Sequence, residues 1–561
     1  VRRIALLASL ALAALWGCLA GPAVASPTQE SMFQDDNLIV YGSPQVVTKT
    51  LARLKALGVD RIRVSVFWKL VAPSPDSPAK PAFNAADPAE YPPGAWDRYD
   101  RIVRLAAKLG LGVDFNVTSP APNWATGTPQ RSDIDETYDP DPREFYAFMV
   151  ALGRRYSGSY VANPPATTSS PIGPVAFPSQ APPPASPIPR VDYWTIWNEP
   201  NQSGWLTPQW APDPRKPRSL IEASPRIYRN LVDAAWVALQ GTYHNTDTIL
   251  IGETAPKGLE KPPFSDPRAI TRSMDPLRFI HRLYCLDDNL QFLQGSEADV
   301  NGCPTANQAG SFPEAHPGLF KMTGYAHHPY ELTFAPNRAP LYPKRWVTIA
   351  NLRDLTKTMV RIFQRYAQPL PGGGPTMPLY LTEFGYQTNP PDPLGVSMAK
   401  QAAYLNQSEF IAYRNPAVRT LAQFLLVDDK PLKNVPASER WSTFQSGIIQ
   451  LNGHHKPSFR AYELPIYLPK VHVRRGQSVR IWGLVRMAAN GPAQPVVIQL
   501  RGLKSRKFRR LATRTTLPGP GYLDTMLKVP HSGYVRLAWT APNGRIYHSR
   551  AVAVFVGARK R

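Results

Sequence analysis

Two short segments carry the residues best suited to chemistry. Trp194-Thr195-Ile196-Trp197-Asn198-Glu199-Pro200-Asn201 and Leu379-Tyr380-Leu381-Thr382-Glu383-Phe384-Gly385-Tyr386 each read as a buried strand, rich in aromatic and β-branched residues, that ends in a glutamate. Pro200, which lacks an N–H, and Gly385, which favours a turn, then stop the strand. A carboxylate at the C-terminal end of a parallel strand is an expensive structural residue, and it is where α/β barrels place reacting groups. Two such carboxyls could break a glycosidic bond. One, protonated, assists the leaving oxygen, and the other, ionised, stands on the opposite side of the anomeric carbon.

Both glutamates need a scaffold that holds them face to face. Short apolar strands alternate with amphipathic helical stretches from about residue 38 to 462. The pattern predicts strand one at Leu38-Ile39-Val40 and the next seven at 61–66, 112–117, 191–198, 248–252, 322–327, 378–382 and 420–427. Helices are predicted at 46–57, 96–109, 142–156, 219–239, 276–286, 347–366 and 396–413. Eight strands alternating with helices imply a (β/α)8 TIM barrel over 31–464, with Glu199 and Glu383 closing strands four and seven across its mouth. The Pro/Ser/Ala-rich stretch 163–189 falls in a helix-to-strand connection, away from that mouth, and reads as a solvated insertion. The loops 68–94 and 201–218 lie on the catalytic face. Trp205 and Trp210 in the second could stack on sugar rings or pack beneath the loop.

At these residues the chain resembles the clan-A glycoside hydrolases, over about 31–464. The resemblance implies Glu199 as acid/base, Asn198 as partner of the substrate 2-hydroxyl and Glu383 as nucleophile. It also implies roles for Arg63 in Ile-Arg-Val-Ser and for His328-Pro329-Tyr330 after strand six. Trp124, in Ser119-Pro120-Ala121-Pro122-Asn123-Trp124-Ala125, matches a Pro-x-Trp loop of some families of the clan. Arg63 beside Glu383 would keep a nucleophile ionised. The Tyr330 hydroxyl suits a hydrogen bond to it, and His327 reads as structural. Glu253 and Asp114 read as salt-bridged support. One departure stands out: many members end strand eight in a tryptophan, whereas this strand ends Leu425-Leu426-Val427-Asp428-Asp429. Asp428 could bond a sugar hydroxyl or merely end the strand. No metal or organic cofactor is implied.

Beyond the barrel, the helical period vanishes after Pro465, and six or seven alternating strands in about 90 residues predict a small β-sandwich over 465–558. Between Lys470 and Arg561 there are 19 Lys or Arg and one acidic residue, Asp524, a net +18 against +23 for the whole chain. That bias exceeds what solubility needs and points to an anionic cell-envelope polymer or acidic glycan as partner. No nucleic-acid recognition motif accompanies the charge.

Residues 1–25 read as a secretory signal, with Arg2 and Arg3 before an apolar run and Ala23-Val24-Ala25 as cleavage site. A lipoprotein anchored through Cys18 is the alternative. No other stretch could span a bilayer, so the expected location is secreted or envelope-associated. Cys285 and Cys303 are then the remaining cysteines, and in an oxidising compartment they predict a disulfide. Two function classes fit: a retaining O-glycoside hydrolase, or a catalytically silent carbohydrate-binding or envelope protein anchored by the basic domain. Intact Glu199 and Glu383 favour the enzyme.

Overall fold

The computed structural model describes residues 26, 28–162, 186–341 and 345–557; the signal segment, Cys18 and most of the Pro-rich insertion lie outside them. Eight parallel strands close into a barrel in sequential order: β1 (Glu30–Gln34), β2 (Arg61–Phe67), β3 (Gly112–Thr118), β4 (Tyr193–Ile196), β5 (Thr248–Thr254), β6 (Gly324–His327), β7 (Leu379–Leu381) and β8 (Val418–Phe424). Around them run α1 (Pro44–Ala56), α2 (Asp97–Leu109), α3 (Pro142–Arg155), α4 (Ser224–Gly241), α5 (Pro276–Leu283), α6 (Leu352–Arg365) and α7 (Met398–Tyr413). The helix starts are written locally. Ser43-Pro44, Asp141-Pro142 and Asp275-Pro276 each place an oxygen that caps a free N–H before a proline that needs none. Gly110, left-handed at φ 63°, ends α2.

Strand one corrects the sequence reading. Leu38 and Ile39 lie in a short helix, Asp36–Ile39, and the strand is the more polar Glu-Ser-Met-Phe-Gln before it. Its polar residues are used inside: Ser31 N donates to Asp60 Oδ2 at 2.8 Å, and the Gln34 side chain reaches Arg63. The helix predicted from residue 219 begins at Ser224, because Leu220–Glu222 instead pairs with Trp210–Pro212 as a hairpin over the mouth.

Alternation along β2 explains how the barrel holds charge. Ile62, Val64 and Val66 belong to the apolar shell with the helices, while Arg63 and Ser65 share a side with Asp114 and Asn116 through the β2–β3 register. Arg61, lower in the barrel, lies 3.4 Å from the centre of the Tyr193 ring.

After α8 (Pro457–Glu463) the chain forms two sheets. One holds β9 (Ile466–Tyr467), β11 (Ser478–Leu484) and β14 (Tyr522–Lys528). The other holds β10 (His472–Arg474), β12 (Pro495–Gly502), β13 (Arg509–Thr515), β15 (Gly533–Thr540), β16 (Ile546–His548) and β17 (Val552–Gly557). The alternating run 546–556, which the sequence pattern reads as one strand, is thus two, separated by Ser549-Arg550-Ala551. Between the sheets Ile481, Ile498, Val535, Leu537 and Trp539 form a core of their own. The sandwich meets the barrel away from the mouth. Trp482 and Tyr522 pack on Tyr413 at the end of α7, and Asn490 Nδ2 donates to Asp60 Oδ1 at 2.7 Å just before β2. A Cβ on Gly58 would lie 2.0 Å from the Arg486 carbonyl oxygen, so this junction requires glycine.

Cys285 and Cys303 are bridged, with Cα atoms 5.6 Å apart, as the sequence predicts. Among the described residues no helix is long and apolar enough to cross a membrane.

Candidate active site

Glu199 and Glu383 meet at the C-terminal mouth of the barrel. The backbone that delivers Glu199 is unusual: Trp197 and Glu199 have φ of 63° and 36°, in the left-handed region that side chains disfavour. Such residues cost about 1–3 kcal/mol each and persist where the surroundings over-determine them. Here they do. Trp197 N donates to Val117 O at 2.9 Å, and Asn116 Nδ2 donates to Trp197 O at 2.8 Å. Asn198 N donates to Thr118 Oγ1 at 3.1 Å, and Glu199 N to Glu253 O at 3.0 Å. The turn lifts Glu199 off the strand and into the cavity.

Glu383 is held by two neighbours from other strands. Arg63 donates to its Oε1 at 2.8 Å and the Tyr330 hydroxyl to its Oε2 at 3.0 Å. Arg63, with no exposed surface, also bonds Gln34 Oε1 at 2.5 Å, Asn198 Oδ1 at 2.6 Å and Glu253 Oε2 at 2.5 Å. His328, equally buried, lies 2.9 Å from Glu199 Oε1 through Nδ1 and 2.5 Å from Glu253 Oε2 through Nε2. Its Nδ1 is also 3.6 Å from Glu383 Oε2. Two buried side chains, Arg63 and His328, therefore serve three carboxyls, of which Glu253 and Glu383 are buried and Glu199 is half-buried.

The electrostatics follow from those contacts. Burial alone would push the His328 pKa down, but Glu383 and Glu253, with hydrogen bonds to Glu199 and Glu253, outweigh it and raise it to about 10. Glu253 is held below the usual glutamate value: burial raises it, and Arg63 and His328 together overcome that. Burial pushes Glu383 up from the ordinary 4.5, with the His328 and Arg63 charges pulling back. Asp114, inside β3, is raised to about 6 by burial and by Glu253. His327 is a neutral bracket instead: its Nε2 lies 3.0 Å from Val347 O, its Nδ1 2.9 Å from Thr254 Oγ1, and burial lowers it to about 3.

Glu199, His328 and Glu383 bring ligand-type atoms within 4.8 Å of one another, a spacing that could suit a metal ion. The donor set argues otherwise. Both ring nitrogens of His328 face carboxylates, and a protonated imidazole has no lone pair to give.

The cavity at the mouth has a volume of about 630 Å³. Asn198, Glu199, Trp205, Tyr330 and Glu383 line it. Arg63 and His328 do not; they touch the carboxyls that do. Trp124, expected to contact sugar, is half-buried and does not line this cavity. Its ring packs edge-on against Trp68 and Phe83 at 6.1 and 5.8 Å, and its Nε1 donates to Pro73 O at 3.0 Å. Trp210 is buried under its loop, donating to Arg272 O at 2.7 Å. Near the end of strand eight, which lacks a terminal tryptophan, Phe424 and Phe444 both line the cavity and meet edge-on at 5.2 Å. Asp428 points away to Lys456 Nζ at 2.7 Å, while Asp429 lines the cavity. Gln34, Asp36, Asn37 and Asp429 carry no motif, and sequence reasoning missed them as cavity residues.

No protein-family model matches the sequence, and no curated protein matches it. Among solved structures it is similar to a glucosidase from Croceicoccus marinus, at 11% identity and a TM-score of 0.43 over 94% of this chain and 97% of that one. It is also similar to GH5_18 from Streptomyces cattleya in complex with GlcNAc (13%, TM-score 0.42, 81% and 85%). A β-glucosidase from Thermotoga maritima in complex with castanospermine is a third (12%, TM-score 0.43, 76% and 92%). Similarity at this level assigns neither substrate nor mechanism.

Proposed function

We propose that the protein is a retaining O-glycoside hydrolase acting by double displacement on a polysaccharide or glycoconjugate. The observation that carries this is the approach of one carboxyl oxygen of Glu199 to one of Glu383 within 4.8 Å. Carboxyl groups about 5–5.5 Å apart leave no room for a water between base and sugar, so the second must attack directly. Glu383, fixed by Arg63 and Tyr330, attacks the anomeric carbon while Glu199 gives its proton to the leaving oxygen. A glycosyl ester on Glu383 results. Glu199, now a carboxylate, takes a proton from water, which attacks the same carbon and releases Glu383. Asn198, turned toward Arg63, lines the site where the 2-hydroxyl would sit. Trp205 offers a ring on the Glu199 side.

The test is Glu199→Ala. Hydrolysis of unactivated glycosides should fall by about 10²–10⁴-fold, the range for a lost general acid, with far less loss on dinitrophenyl glycosides, where azide should restore turnover. Equal loss on both, without a glycosyl azide, would count against the assignment.

The signal segment and the disulfide support export to an oxidising compartment. The sandwich supports attachment there to an anionic polymer. Lys504, Arg506, Lys507, Arg509 and Arg510 are exposed, and among the described residues none of them is in an ion pair. Beside them Arg536 and Arg501 crowd the Phe508 ring at 3.9 and 5.3 Å.

A further inference from the structure

The walls of the cavity differ in charge on its two sides. Around Glu199 they include Gln202, Trp205, Ala255, Pro256, Lys257 and Leu332. Opposite, at the ends of β1, β2 and β8, Phe67, Phe424 and Phe444 accompany Gln34, Asp36, Asn37, Ser65 and Asp429. This second wall is wired to the nucleophile. Arg63 bonds both Glu383 and Gln34, and Gln34 Nε2 donates to Asp36 Oδ2 at 2.9 Å. Ser65 Oγ donates to the same oxygen at 2.6 Å and Ser65 N to Oδ1 at 3.2 Å. Asp429 accepts from Asn37 Nδ2 at 2.6 Å on Oδ1 and from Phe444 N at 3.1 Å on Oδ2.

The groups that donate to Asp36 and Asp429 are all neutral, whereas Glu383 and Glu253 each touch a cation. Among the described residues Asp36 and Asp429 have no Lys, Arg or His partner. Among the described residues the one cation lining the cavity, Lys257, stands on the Glu199 side and is spoken for by Glu331 at 3.3 Å. A carboxylate has about four acceptor positions, so Asp36 keeps one free and Asp429 two after these bonds are made.

On the reading of Glu199 as the acid, the leaving group lies on its side and the attacked sugar extends toward Asp36 and Asp429. We infer that this wall is the glycon pocket and that it selects an uncharged or amino sugar: Asp36 and Asp429 accept hydrogen bonds from its hydroxyl or ammonium groups and repel a uronate. It follows that a polymer whose negative charge lies on the sugar bound in this pocket is not the glycan cleaved.

Matched aryl glycosides that differ only at C6, glucoside against glucuronide and galactoside against galacturonide in both anomeric forms, test this on the full chain. The neutral or amino sugar should be preferred at least about 100-fold in kcat/KM. In Asp36→Asn/Asp429→Asn the preference should narrow to less than about 10-fold, chiefly through KM for the uronide. Glu314→Gln, at an exposed position on the outside of the barrel, should leave the ratio unchanged. A uronide cleaved as well as its neutral mate by the parent, or a ratio the double variant does not move, overturns the inference. If that variant fails to fold, the parent's ratio alone decides. If no aryl glycoside is cleaved, the catalytic reading fails separately, and Trp205 fluorescence titrated with glucosamine, glucose, galactose and the two uronic acids still decides. Tighter binding of the neutral or amino sugars upholds the pocket; equal or tighter binding of a uronic acid, or no neutral or amino sugar bound, refutes it.

Discussion

At the mouth of the barrel Arg63 and His328 have no exposed surface, and each touches carboxylates on two or more strands. On the sandwich, Lys504, Arg506, Lys507, Arg509 and Arg510 stand in solvent, and among the described residues none of them is in an ion pair. The same element, positive charge, is used in two regimes. Inside, each cation is fixed by geometry, and losing one strands several partners in a medium where an unpaired charge is very costly. Outside, the cations are interchangeable and screened beyond about 10 Å at 0.1 M salt. Not all of the basic domain belongs to the second regime. Arg480 pairs with Asp524, Arg486 with Glu409 of α7, and Arg550 Nε donates to Asn406 Oδ1 at 2.9 Å, so these three build the domain or its junction.

The sharpest break of this contrast is Arg63→Met. It should cost about 3–5 kcal/mol of stability, the range for removing one partner of a buried pair, seen as a lower denaturation midpoint. It should also move the acid limb of the kcat/KM profile. Glu383 must be ionised to attack, and burial already raises its pKa, so the parent should lose activity below a pH higher than the ordinary 4.5. Without the Arg63 charge, which lowers that pKa, the limb should shift higher still. A limb that stays in place would mean Arg63 does not act on the nucleophile.

The disulfide should have an intermediate effect. Replacing Cys285 and Cys303 by Ser opens a loop of 18 residues and should cost about 3 kcal/mol, leaving kcat on an aryl glycoside within a few-fold of the parent. An unchanged midpoint, or thiols titrated in the non-reduced protein, would remove the bridge from the account.

Neutralising Lys504, Arg506, Lys507, Arg509 and Arg510 together should have the smallest effect on chemistry. Turnover of a neutral aryl glycoside should be unchanged, while binding to anionic wall material at low salt should fall and lose its salt dependence. Binding equal to the parent's would reduce the charge to a solvated face.

Glu199 and Glu383 were legible as a pair at the mouth because strand-end glutamates depend on local pattern: an apolar run, a carboxyl, then a breaker. Arg63, His328 and Tyr330 came with the family resemblance, and the structure gathers all three around Glu383. What local pattern missed is what long-range packing decides. β1 was misplaced because Glu30, Ser31 and Gln34 look like loop residues until Arg61, Asp60 and Arg63 are seen beside them. Trp124 and Trp210 sit on loops at the mouth, but nothing in their spacing tells which way a ring turns. Asp428 and Asp429 are adjacent on one segment, and only the position of Lys456 shows that the first faces inward and the second the cavity.

The central claim, that Glu383 carries the sugar between the two displacements, is tested most directly by trapping. The protein is treated with dinitrophenyl 2-deoxy-2-fluoroglycosides of the sugar it cleaves, digested, and mapped by mass spectrometry. The account predicts one fluoroglycosyl group per chain on the peptide containing Thr382-Glu383-Phe384, and none in Glu383→Gln. A label on another carboxylate, or a first-formed product of inverted configuration, would contradict it.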